Sequence, residues 1–154
     1  MRWSTSTGAN PTDATSSTAV SRGRGVGLAP VEVLHLMVPP YAAHLELVRS
    51  AAAHAADCAG LGPEDRDDLC LAADELCQLV LAATDFAVLV TFTTQPAVVL
   101  ARVVGRRREG ADGRVVSGLT AAVLARAVDF FALEPGEDTL EGVVVKCRAR
   151  TRRP

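Results

Sequence analysis

"LCLAADELCQLVLAA", Leu69 to Ala83, is the stretch on which the fold turns. It lacks proline and glycine, is rich in Ala and Leu, and predicts a helix that is apolar on almost every side. Two adjacent carboxylates, Asp74 and Glu75, sit at its centre. Neighbours on a helix diverge by about 100°, so the two cannot act as one paired site. Asp74 lines up with Cys70 and Gln78, and Glu75 with Leu71, Leu79 and Ala82. A carboxylate on that second strip has two readings. It rims a pocket and bonds a backbone N–H or an arginine, or it is desolvated, which raises its pKa and suits a general base.

Working outward, Pro63 opens this helix, and the acidic first turn "EDRDD" suits the positive helix end. Before it, the spacing predicts a helix from about Pro40 to Ala59, with Gly60 and Gly62 past its end. Leu45, Val48, Ala52, Ala55 and Ala59 form its buried stripe, and Glu46, Arg49, Ser50 and Asp57 lie on other faces. "VEVLHLMV" (Val31–Val38) predicts a strand. "FAVLVTFT" (Phe86–Thr93) and "PAVVLARVV" (Pro96–Val104) predict a hairpin closed by Thr94 and Gln95. "GRRREGADG" is a polar loop, and "SGLTAAVLARAVDFFAL" (Ser117–Leu133) predicts a third helix. Leu119, Val123, Ala127 and Phe130 or Phe131 face inward on it. "EPGEDT" is a turn, and "LEGVVVKCRAR" closes the domain as a strand. Val143, Val145, Cys147 and Ala149 point one way on that strand; Val144, Lys146, Arg148 and Arg150 point the other. One sheet face is therefore dry and the other largely wet. The order β-α-α-β-β-α-β predicts a two-layer α/β sandwich, one mixed, mostly antiparallel sheet with three helices on one face.

The chain has 154 residues, which suggests one domain, and 49% hydrophobic residues, enough for a core. Residues 1–28 are poor in large apolar groups and read as a disordered tail, residues 29–150 as the domain, and residues 151–154 as a basic tail. A net charge of −2 gives no global argument for nucleic acid. No apolar run approaches the ~20 residues that cross a bilayer, and the N-terminus lacks a signal-peptide core. Cys58, Cys70, Cys77 and Cys147 show no CxxC spacing and read as buried, reduced thiols in a cytoplasmic protein. Cys70, Asp74 and Cys77 could share one helix face, but no His lies close in sequence to complete a zinc set. His44 and His54 lie about 15 Å apart along their helix, too far to share a metal. Arg106, Arg107 and Arg108 read as a solvated loop or as a phosphate-binding one. Ser117 reads as a helix N-cap.

Three stretches carry a family resemblance. "VRSAAAHAADCAGLGPEDRDDLCLAADELCQLV" resembles the first helix, glycine link and second helix of the RsbW-like anti-sigma-factor serine kinases, a branch of the GHKL (histidine kinase-like) ATPases. "ADEL" lies where that family's nucleotide-binding helix has an acidic residue, and "SGLTAAVLARAVDFF" resembles its late glycine box and following helix. The element order matches over about Val31 to Arg150.

The resemblance implies a Bergerat-type sandwich, with Glu75 in the place of the general base and Gly105, Gly118 and Thr120 near the nucleotide. It also exposes departures. Leu79 occupies the position of the Asn that holds Mg²⁺, and leucine offers no oxygen to a hard cation. No Asp precedes Gly105 to bond adenine. Gly118 is followed by Leu119 and Thr120, and a β-branched Thr resists the close backbone approach that glycine permits. Without a metal to neutralise triphosphate charge, phosphoryl transfer loses its main electrostatic support. The expectation is a regulatory protein that works by binding a sigma factor or a STAS-type anti-anti-sigma partner, without cofactor, metal, nucleic acid or membrane, and with a homodimer possible. The alternative is an active ATP- and Mg²⁺-dependent serine/threonine kinase, its metal held by Asp74 or Gln78.

Overall fold

The computed structural model describes residues 31–111 and 116–149. The calls on residues 1–28 and 151–154 lie outside these. Strand β1 (Glu32–Val38) is followed by a 3-10 turn (Ala42–His44) and helices α1 (Leu45–Ala59) and α2 (Pro63–Ala82). Then come β2 (Val88–Gln95), β3 (Val98–Arg106), α3 (Gly118–Ala127), β4 (Phe130–Pro135) and β5 (Thr139–Cys147). The five strands form one sheet in the order β1-β2-β3-β5-β4, with every neighbouring pair antiparallel. The α/β two-layer sandwich is as expected; the sheet is fully antiparallel rather than mixed.

The helix pair follows its sequence signals. Helix α1 buries Leu45, Val48, Ala52, Ala55 and Ala59, together with Ala51 and Ala56. It stops at Gly60, whose φ of 67° is the left-handed conformation that glycine adopts without steric cost. Helix α2 turns Leu69, Ala72, Ala73, Leu76, Cys77 and Val80 into the core. The two helices pack on each other and on the central strands. Small alanines allow that close approach, and Phe92 and the valines of β2 and β3 fill the space beneath. Each large side chain buried there contributes about 1.5–3 kcal/mol.

Three expectations need correction. Helix α3 ends at Ala127, and "FFALEP" is strand β4 at the sheet edge. Val128 is extended, and the Asp129 backbone N–H donates to the Val145 carbonyl. The Asp129 carboxylate accepts from the Cys147 N–H at 2.7 Å, so the chain is captured by β5. Aromatic neighbours favour a pleated surface once a strand is there to pair with. Leu119, expected inside, is 77% exposed, whereas Leu124 and Ala127 are buried. The hairpin turns at Pro96–Ala97 rather than at Thr94–Gln95. Ala97 has a φ of 66°. It is held there because its N–H donates to the Ala59 carbonyl and its own carbonyl accepts from the Arg148 N–H, both at 2.8 Å.

The third correction concerns the faces of β5. Leu140, Gly142, Val144 and Lys146 point under the helices and are buried, whereas Glu141, Val143, Val145 and Cys147 face the uncovered side. The strand alternates as predicted, but the face that carries the lysine is the dry one.

Candidate functional site

Glu75 lies on α2 one turn from Leu71 and Leu79. It is half-buried, between exposed Leu71 and half-buried Leu79. Its neighbour Asp74 has a side chain 16% exposed and an ion pair to Arg49 at 3.1 Å. One Asp74 oxygen, Oδ1, is buried without a hydrogen-bond partner among the described residues. Cys70 donates to the Arg49 carbonyl at 3.5 Å, and Cys77 is fully buried. Desolvation, reinforced by Asp74, pushes the Cys77 thiol up to about 12, so it is an inert packing group. Cys58, expected inside, is exposed, with Sγ 3.6 Å from His54 Nε2. No group of three or more His, Cys, Asp or Glu residues is placed to hold one cation among the described residues.

The glycines and the threonine have local structural duties. Gly105 is buried where α2 presses on β3. A Cβ there would stand 2.9 Å from Val80 Cγ1 and 3.0 Å from Val88 Cγ1, closer than packing permits. Gly118 faces open space as the first residue of α3. Thr120 belongs to the helix cap: its N–H donates to Ser117 Oγ at 3.1 Å, and the Ser117 hydroxyl donates to Thr120 Oγ1 at 3.0 Å. Leu79 lies one residue before Val80, which covers Gly105.

A broad cavity of about 950 Å³ opens at the end of the sheet where α2 finishes, between the Arg106–Ala111 segment and the β4–β5 turn. None of Glu75, Leu79, Gly105, Gly118 or Thr120 lines it. Its arginines are already engaged. Arg107 donates through its N–H to the Asp138 carbonyl and through Nη2 to the Glu137 carbonyl. Arg108 ties down the end of α2, donating to the Ala82 and Ala83 carbonyls and pairing with Asp85 at 3.0 Å. Arg106 lies over the Phe86 ring, 5.8 Å from its centroid. Arg106 and Arg108 are exposed, as in a solvated run, and Arg107 is half-buried; Arg107 and Arg108 also staple the loop to its neighbours.

A second polar centre lies at the opposite end of α2 and was missed by sequence reasoning. Buried Lys146 pairs with Asp65 Oδ1 at 3.2 Å and Asp68 Oδ2 at 2.9 Å, and donates to the Ala127 carbonyl at 2.9 Å. Asp65 also accepts from the Ala149 N–H at 2.8 Å. One ammonium therefore joins the start of α2, the end of α3 and strand β5. Burial pushes its pKa down, but hydrogen bonds to Asp68 and Asp65 outweigh this and hold it above the ordinary lysine value. A sole lysine among many arginines, following an acidic helix start, was the signal available in the sequence.

The remaining candidate surface is the sheet face that no helix covers among the described residues. Val33, Met37, Leu89 and Phe130 are exposed there, among half-buried Leu100, Val104, Val143 and Val145. Arg102 and Glu141 form a two-pronged ion pair across its middle. That pairing places Glu141 below the usual carboxylate range, chiefly through the hydrogen bond from Arg102. Among the described residues, no helix is long and apolar enough to cross a membrane.

No protein-family model matches the sequence, and no curated protein matches it closely. The fold is similar to that of a chain in the crystal structure of the SiaB–SiaC complex from Pseudomonas aeruginosa, with a TM-score of 0.56 and 12% identity. The similarity covers 73% of this chain and 88% of that one.

Proposed function

We propose that the chain is a regulatory module that works by binding another protein, without nucleotide chemistry. The observation that carries the reading is the uncovered sheet face. Exposed apolar side chains gathered on one face, here on both sides of the Arg102–Glu141 pair, mark an interaction site more often than scattered ones do. The structural neighbour comes from a two-protein complex, which agrees with this reading. The resemblance to the RsbW-like kinases names the partner class: a sigma factor or a STAS-type anti-anti-sigma protein.

The positions that the resemblance assigns to nucleotide and Mg²⁺ do not suit that ligand. Leu79 supplies no oxygen for the cation. The approach to Gly105 is filled by Val80 and Val88, and Thr120 is committed to the cap of α3. Glu75 then serves as a polar rim residue of α2, a remnant of a catalytic ancestor. The test is calorimetric titration of the purified chain with purified sigma factors and STAS-domain proteins of its host. Saturable binding to one of them without added nucleotide is expected; binding to none, across both classes, overturns the proposal.

A further inference from the structure

We infer that His54 and Cys58, one turn apart on α1, form a chelate for a divalent transition-metal ion of the zinc class, at a cavity between α1 and the strand pair β1–β2. The inference goes beyond the protein-binding reading and concerns a different part of the molecule.

Three elements build the site. A cavity of about 320 Å³ is lined by Glu32 and Leu34 from β1, Thr94 from β2, and His54 and Cys58 from α1. Glu32 and Thr94 stand opposite each other in the antiparallel ladder, so their side chains leave the same face of the sheet. That face is the one under the helices, where Val90, Phe92 and Thr94 alternate as the buried positions of β2. Thr94 is only 6% exposed and adds a polar side chain to the lining. His54 and Cys58 lie four residues apart and are therefore neighbours on the helix surface. Both are exposed, so an ion reaches them from solvent without any rearrangement of the fold.

The separation of the two donors identifies the ligand. Cys58 Sγ lies 3.6 Å from His54 Nε2. A tetrahedral cation about 2.3 Å from sulfur and about 2.0–2.1 Å from an imidazole nitrogen sets those atoms about 3.5–3.6 Å apart. One helix turn thus presents the pair at the edge length of a zinc-type coordination shell. Sulfur and imidazole donors select ions of that class, whereas Mg²⁺ and Ca²⁺ take oxygen ligands. The site is also separate from the position that the family resemblance gives to Mg²⁺, Leu79 on α2.

The local charge favours the same ligand. The Cys58 thiol is held above its ordinary value, first by desolvation, then by the hydrogen bond to Glu32 and the negative charges of Glu32 and Asp57. A thiol kept neutral is a poor nucleophile, which makes metal binding a better use of this cysteine than redox or alkylation chemistry. The carboxylates that oppose a bare thiolate attract a cation, and a bound ion of this class deprotonates a coordinating thiol outright. On binding, the thiol proton passes to solvent and a metal–sulfur bond replaces the S–H bond. The described residues preset two protein donors and no third, so water completes the shell.

The experiment is titration of the full chain with Co²⁺, a spectroscopic stand-in for Zn²⁺, in a non-thiol reductant. Wild type is expected to develop the near-ultraviolet thiolate-to-cobalt band, to saturate at one ion per chain well below millimolar metal, and to lose the band when Zn²⁺ is added. Cys58→Ser is expected to abolish the band. His54→Ala is expected to weaken binding by more than the roughly tenfold that loss of an outer-shell partner costs. Glu32→Gln is expected to weaken it less, and Cys70→Ser on α2 to leave it unchanged. Circular dichroism checks that each variant folds; should Cys58→Ser fail to fold, His54→Gln serves in its place. A wild type without the band overturns the inference. So does a band that survives Cys58→Ser, one that keeps wild-type affinity in His54→Ala, or one that is lost in Cys70→Ser. None of these outcomes depends on whether the chain binds a sigma factor or a STAS-type protein.

Discussion

The two faces of the sheet differ in what their polar groups do. Under the helices, Lys146 is buried between Asp65, Asp68 and the Ala127 carbonyl, with the Lys146 and Asp65 side chains each only 10% exposed. On the uncovered side, Arg102 and Glu141 make a comparable pair, but with side chains 49% and 32% exposed and with Met37, Leu89 and Phe130 open beside them. The difference teaches that charge does not mark the outside of this domain. A buried lysine with two carboxylates holds helices to the sheet, while the apolar residues outside lie exposed among the described residues.

The contrast is broken most severely at the buried pair. Asp65→Ala leaves the lysine with one carboxylate and frees the Ala149 N–H, and it should cost about 3 kcal/mol in urea unfolding. A loss under ~1 kcal/mol would mean that the covered face does not depend on this network. Gly142→Ala comes next. Its Cβ would enter the space of Leu76, with Leu76 Cγ 2.9 Å away. Overpacking of this kind should cost about 2 kcal/mol, visible as a lower denaturation midpoint. Arg102→Met on the open face should change stability by less than ~1 kcal/mol, because the pair is partly solvated. Of these three substitutions, it alone lies on the open face, so it alone should alter partner binding.

The smallest effect is a pH dependence. The folded-state pKa of Lys146 is raised, so its contribution is complete below the unfolded value of about 10.4 and is lost as pH rises through the raised one. Wild type should therefore lose stability more steeply above about pH 10 than Lys146→Gln does. Equal slopes would show that the ammonium contributes no pH-dependent stability.

Much of the fold was legible, because α1 and α2 carry long periodic patterns with proline and glycine at their ends. The buried stripe of α1 was read residue by residue. Strand β4 was not legible, since "VDFFAL" continues a helical spacing and its strand character arises only from pairing with β5. Alternation in "VVVKC" gave two faces without saying which was covered. That depends on acids some 80 residues earlier, Asp65 and Asp68, reaching across to Lys146. The site residues were legible only as positions. Gly105 was noted as a remnant of a nucleotide loop, while its crowding by Val80 and Val88 follows from three-dimensional packing.

The central claim, regulation by binding rather than by phosphoryl transfer, is tested most directly by one assay. The chain is incubated with labelled ATP, Mg²⁺ and a purified STAS-domain partner, and phosphate incorporation is followed. The account predicts a complex with no label transferred to the partner. Label that accumulates with wild type and disappears with Glu75→Ala would contradict it.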